Sequence, residues 1–117
     1  MDALRKPGHI ERGDFVPITV QGDFGKPRPA LVIQADLFNE VYSSVTVLLV
    51  TGDIVDAPLF RITVEPDEFN GLQKTSQIMV DKVMTVKRER VREPFGSASD
   101  DVMLAVNRSL IVFLGIA

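Results

Sequence analysis

The chain has 117 residues, enough for one domain around one hydrophobic core and too few for two. Hydrophobic residues make up 45% and charged residues 25%, an ordinary globular mix, and no apolar run is long enough to span a bilayer as a helix. A net charge of −3 excludes a protein-wide basic field, and the lack of cysteine excludes disulfides and thiolate metal sites.

Residues 1–10 have no periodicity and no apolar signal region, so a loosely ordered leading segment and a cytoplasmic location are expected, with one domain over residues 11–117. The single histidine, His9, falls in this segment and cannot build a metal cluster. No metal, cofactor or membrane partner is expected. Residues 15–20, Phe-Val-Pro-Ile-Thr-Val, have the β-branched content of a strand, and Pro17 makes it an edge or bulged one. Gln21-Gly22-Asp23-Phe24-Gly25 is a glycine-punctuated loop that joins it to the next strand as a hairpin. Phe24 is either a lid folded over the core or a surface on which a base stacks. Gly25-Lys26-Pro27-Arg28-Pro29 then runs into Ala30-Leu31-Val32-Ile33-Gln34, a short apolar strand. The two prolines hold Arg28 in extended backbone at the mouth of the sheet. A guanidinium held there either covers the strand end against a carboxylate or binds an anion.

Asp36 offers an N-cap for one helical turn over residues 36–40. Residues 44–51 form the strongest strand, apolar nearly throughout and therefore central, ending at Thr51-Gly52-Asp53. Residues 60–64 alternate with period two, and residues 66–74 are turn-rich around Asn70-Gly71. Residues 76–80 and 84–86 read as two short strands with Asp81-Lys82 between them. Lys87-Arg88-Glu89-Arg90-Val91-Arg92 is the one concentrated basic run, either a solvated edge that blocks pairing or the wall of an anion-binding groove. Ser99 is a good N-cap, Asp100 and Asp101 suit the first turn, and Val102, Met103, Val106, Leu110, Phe113 and Leu114 follow helical spacing. The expected fold class is α+β, a small partly open antiparallel β-barrel of six or so strands with a C-terminal α-helix.

Arg12-Gly13-Asp14, the run from Lys26 to Gln34, Asn70-Gly71-Leu72, Val80-Asp81-Lys82 and the closing helix together resemble the MazF/PemK toxins of type II toxin–antitoxin systems, over residues 11–117. The resemblance implies an SH3-like or CcdB-like barrel, a homodimer, and an endoribonuclease that cuts single-stranded RNA and is neutralised by a partly disordered antitoxin. It further implies that Arg28 and Thr51 are the catalytic arginine and threonine, with Asp81 and Asp14 matching carboxylates that some members use. Phe24, Lys26, Lys74, Ser76, Arg88 and Arg90 are the expected RNA contacts. The chain departs from the family in two places. The loop before Arg28 is short and lacks the frequent Glu-Gln, leaving Asp23 as its nearest acid, and Met79 stands where one branch has an arginine.

These residues suit metal-free chemistry. Attack of a ribose 2′-hydroxyl on phosphorus builds negative charge that a guanidinium fork is shaped to stabilise. The proton acceptor stays open among Asp14, Asp23, Asp81 and Arg28 itself, an arginine being a poor base. Asp14 and Asp81 serve equally well as strand-end carboxylates paired with Arg12 or Lys82. The alternatives on the same fold are a gyrase poison without catalysis, for which Phe113 is the one C-terminal aromatic, and a non-catalytic family member.

Overall fold

The computed structural model describes residues 5–117. Six strands form one antiparallel sheet in the order β4-β5-β3-β2-β1-β6, with β1 at Asp14–Thr19, β2 at Pro27–Val32, β3 at Ser44–Thr51, β4 at Arg61–Val64, β5 at Ser76–Lys87 and β6 at Gly96–Ser97. A short helix α1, Asp36–Asn39, links β2 to β3, and helix α2, Asp100–Phe113, closes the chain. After β5 a 3-10 turn at Arg88–Arg90 carries the chain back to β1, where Val91 bridges Ile18 and the Arg92 amide donates to the Pro17 carbonyl at 2.9 Å. That return curls the sheet into a half-barrel.

The curl explains why the inner strands are apolar on both faces. Val16, Ile18, Ala30, Val32, Val45 and Val47 fill one face, enclosed by the curl. Phe15, Leu31, Leu48, Val50, Ile78 and Val80 fill the other, covered by Val106, Val102 and Met103 of α2. Neighbours such as Phe15 and Val16 thus point to opposite cores, as a pleat requires. Helix α2 starts where its sequence signals it, with Ser99 Oγ accepting from the Val102 amide at 3.2 Å.

Three expectations are revised. The segment read as two short strands is one twelve-residue strand, β5, because a register shift opposite Leu48 and Val50 absorbs Asp81-Lys82 without ending the ladder. Asp36 is the first helical residue of α1 rather than its cap; its carboxylate instead accepts from the Arg12 amide at 2.6 Å. The leading segment falls partly outside the described residues. Of the rest, Ile10 is buried in the core, Arg5 pairs with Glu11 and Asp14 at 3.0 Å each, and the Gly8 amide donates to Glu93 at 2.7 Å.

Candidate functional site

The hairpin β1–β2 opens the site. Prolines face each other at Pro17↔Pro29 and Arg28 lies opposite Ile18. Neither Pro27 nor Pro29 has an amide proton to donate, and the β2–β3 ladder begins only at Ala30↔Leu49. The ladder stops there, but its register extrapolated by two residues aligns Arg28 with Thr51, both at the open end of neighbouring strands β2 and β3.

The Arg28 guanidinium is half-exposed and gripped by Asp23, with Nε donating to Oδ2 at 2.5 Å and Nη2 to Oδ1 at 3.1 Å. Its Nη1 makes no hydrogen bond among the described residues. Asp23 is placed by its loop: its amide donates to the Val20 carbonyl and its carbonyl accepts from Lys26, at 3.1 and 3.0 Å. Gly22, Phe24 and Gly25 all have positive φ, so the loop turns sharply enough to aim Asp23 back at Arg28. Phe24 sits at the tip, fully exposed, and is therefore no lid on the core.

Thr51 ends β3, and its Oγ1 accepts from the Asp53 amide at 3.1 Å, which leaves the hydroxyl proton free to donate. Gln77, its cross-strand partner, is buried and clamps the following loop, accepting from the Val55 amide at 3.1 Å and donating to the Val55 carbonyl at 2.9 Å. Sequence reasoning missed Gln77; a glutamine in an otherwise apolar strand is the signal that could have found it. Beyond Thr51, Lys74 lies across Gly52, and Ser76 is buried with its hydroxyl donating to the Lys74 carbonyl at 2.9 Å. Lys26 is exposed in the loop ahead of Arg28.

The remaining expected residues are elsewhere in the chain. Asp14 lies four residues along β1 from Ile18, the partner of Arg28, or about 13 Å of strand. It is buried, accepts from Arg5 at 3.0 Å and from the Glu11 amide at 2.8 Å, and does not pair with Arg12. Burial pushes its carboxyl above the ordinary 3.8, against the lowering effect of the Glu11 amide and Arg5. Asp81 lies four residues along β5 from Gln77, again about 13 Å. Its nearest cations are Arg61 at 3.9 Å and Lys82 at 4.0 Å, and its Oδ1 is shielded from solvent without a hydrogen bond. Arg88 and Arg90 follow Lys87, which pairs with Ser44 at the far end of β3, about 23 Å from Thr51. Arg88 is also engaged there, Nη1 donating to the Asn39 carbonyl and Nη2 to the Gly8 carbonyl at 3.0 Å. Within the chain, then, Arg28, Thr51, Asp23, Lys26, Lys74, Ser76 and Phe24 share one end of the sheet, while Asp14, Asp81, Arg88 and Arg90 do not. Among the described residues no three histidine, aspartate or glutamate side chains converge on a point that could hold an ion.

Comparison with known proteins follows the same line. The profile of the PemK-like, MazF-like toxins of type II toxin–antitoxin systems matches residues 6–114. A probable endoribonuclease MazF of Mycolicibacterium smegmatis is 43% identical over 92% of this chain and 99% of its own length. An endoribonuclease MazF of Staphylococcus saprophyticus is 30% identical over 97% and 93%. Among solved structures, an endoribonuclease in complex with its cognate antitoxin from a mycobacterial species superposes with a TM-score of 0.79 at 18% identity, covering 92% of this chain and 97% of that one.

Proposed function

The chain belongs to the PemK-like, MazF-like family and is an endoribonuclease toxin of a type II toxin–antitoxin system; from that premise we propose that Arg28 and Thr51 cleave single-stranded RNA by 2′-hydroxyl attack, with Asp23 as their carboxylate. The observation that carries this reading is the Asp23 fork on Arg28, in the strand next to the one that Thr51 ends. It orients the guanidinium through Nε and Nη2 and leaves Nη1 to donate to an anion.

In the proposed step Asp23 takes the proton of the ribose 2′-hydroxyl as its oxygen attacks the adjacent phosphorus. The new 2′-O–P bond forms as the P–O5′ bond breaks. The leaving 5′-oxygen takes a proton from solvent, and the products are a 2′,3′-cyclic phosphate and a 5′-hydroxyl end. Arg28 stabilises the charge that accumulates on the phosphoryl oxygens. The Thr51 hydroxyl, its lone pair held by the Asp53 amide, donates to the leaving oxygen. Asp23 takes the role of base because Asp14 and Asp81 lie too far along their strands to reach the same phosphate.

Relatives of this fold have been solved in complex with their antitoxins. This toxin would likewise be neutralised by an antitoxin tail that folds on binding, offering acidic and apolar groups in place of RNA. We further assign the exposed apolar end of α2, Val112, Phe113 and Leu114 with the adjoining Leu59 and Phe60, to a homodimer contact. Incubating the purified protein with a long RNA in EDTA tests the reaction. Fragments with cyclic-phosphate and 5′-hydroxyl ends are expected; intact RNA, or cutting that requires added metal, contradicts the scheme.

A further inference from the structure

The segment after Thr51 is supported differently from the strands on either side of it. From Gly52 to Asp56 the chain makes no backbone-to-backbone hydrogen bond among the described residues. Two side chains hold it instead. The Asp53 amide donates to Thr51 Oγ1 at 3.1 Å, and Gln77 grips Val55 at both its amide and its carbonyl. Beyond Val55 the backbone holds itself again, with the Phe60 and Arg61 amides donating to the Ala57 carbonyl at 3.0 and 2.9 Å. Asp53 thus lies between one anchor at Thr51 and a second at Val55.

The sheet fixes Gln77 for that second task. It pairs with Thr51 of β3 on one side and with Thr63 of β4 on the other, so the three residues make one row across three strands. Its side chain is 3% exposed. The oxygen accepts from the Val55 amide at 3.1 Å, while Nε2 donates to the Val55 carbonyl at 2.9 Å and to Thr63 Oγ1 at 3.1 Å. Both amide protons and the oxygen are thereby used, as burial requires. The two bonds to Val55 are those that a neighbouring strand would offer, so one side chain stands in for a missing ladder.

We infer that Gln77 is a positioning residue for the cleavage step: by fixing Val55 it holds the Asp53 amide against Thr51 Oγ1, and so sets the rotation of the Thr51 hydroxyl. The role rests on Thr51 being catalytic, as proposed. A hydroxyl proton turns freely unless its oxygen is held, so releasing the Asp53 amide lowers the fraction of molecules whose Thr51 points at the leaving oxygen. Gln77 is buried, and its amide is committed to Val55 and Thr63, so it acts on the chemical step and not on RNA affinity.

Single-turnover cleavage of a long RNA by excess protein gives a saturated rate and a half-saturation concentration, which separate the two effects. Gln77→Met keeps the length and loses the hydrogen bonds; it should lower the saturated rate about tenfold. Its half-saturation concentration should stay within about twofold of wild type. Asp53→Pro, at an exposed position, removes the amide itself and should slow cutting as much. The double variant should be no slower than Asp53→Pro alone, since both changes break one connection. In the RNA-free protein, the Asp53 and Val55 amides of Gln77→Met should exchange with solvent about tenfold faster, while the β3–β5 ladder stays protected. A wild-type saturated rate in either single variant would overturn the proposal, as would a loss confined to the half-saturation concentration or additive losses in the double variant. Should Gln77→Met fail to fold, Asp53→Pro still decides, because it leaves Gln77 in place. Thr51→Val separates the two readings. If it cuts normally, the catalytic reading of Thr51 falls and this role with it; if it is slow while Gln77→Met and Asp53→Pro cut normally, this role alone falls.

Discussion

At the scale of single residues, Arg28 is held both through its backbone and through its side chain. Its backbone is extended between two prolines and its fork is already engaged by Asp23 through two of three nitrogens. Lysine keeps the charge but cannot span a carboxylate and a phosphoryl oxygen at once. Arg28→Lys and Arg28→Ala should both fold and both lose about a hundredfold or more in cleavage rate; near-normal cutting by either, in a gel assay on long RNA, would make Arg28 structural. For Thr51 the hydroxyl and the shape separate: Thr51→Ser should cut and Thr51→Val should not, with equal melting temperatures. Asp14 gives the opposite test. Its folded carboxyl titrates above the ordinary value because burial disfavours the charge. The folded state therefore binds more protons than the unfolded state between 3.8 and the raised value. The stability Asp14 contributes is fully present below 3.8 and is lost as pH rises through the folded value. Asp14→Asn should remove that fall from a series of melting curves taken upward from pH ~3.5. It should also cut RNA at the wild-type rate, because its place is under Arg5 and the Glu11 amide rather than beside Arg28.

At the scale of elements, α2 is the piece whose making and docking can be taken apart. Ser99 caps it, and Ser99→Ala should cost about 1 kcal/mol of unfolding free energy in urea titrations, with cleavage unaffected. Val106 is its one fully buried side chain and closes the Phe15, Leu31 and Leu48 face. Val106→Ala should cost roughly 2 kcal/mol by removing two methyl groups from a filled core. A Val106 variant no more destabilised than the cap variant would mean that α2 is only loosely seated. The β3–β5 pair has the complementary task. Gln77 ties the loop after Thr51 to β5, so the end of β3 that presents Thr51 is held from the side as well as from behind.

For the whole molecule, charge and exposed apolar surface set what it can bind. With a net charge of −3, no protein-wide field attracts RNA, and we assign the phosphate contacts to the cations near the open end, Lys26, Arg28 and Lys74. RNA binding should weaken steeply with salt, which anisotropy across a salt series will read. The exposed end of α2 is an apolar surface contiguous with Leu59 and Phe60, where Phe60 and Phe113 meet edge to face at 6.2 Å. Val112 is exposed there, and Val112→Glu should turn a dimer in sedimentation velocity into a folded monomer. A wild-type protein that sediments as a monomer at micromolar concentration would remove the dimer assignment and leave the cleavage chemistry standing.

Much of this protein is local in origin and can be read without a structure. Runs of apolar and β-branched residues place β1 and β3 to within a residue, while β2 starts three residues before the expected Ala30. Ser99 followed by two aspartates starts α2, and two prolines around an arginine announce a rigid cation at a strand mouth. Each depends on neighbours a few positions away, which the chain order itself supplies. Tertiary structure alone decides what meets across strands. The shift opposite Leu48 and Val50 merges two apparent strands into β5 and leaves Asp81 away from Thr51. The β1–β2 register puts Asp14 at the other end of the hairpin from Arg28, and a tight loop puts Asp23 beside it. The one basic run in the sequence, the obvious place to look for an RNA wall, is carried to the far end of β3, where Arg88 holds backbone carbonyls. Register and strand order come from pairings across tens of residues, where a shift of one position exchanges every contact, so the partners of Arg28 had to be seen in three dimensions.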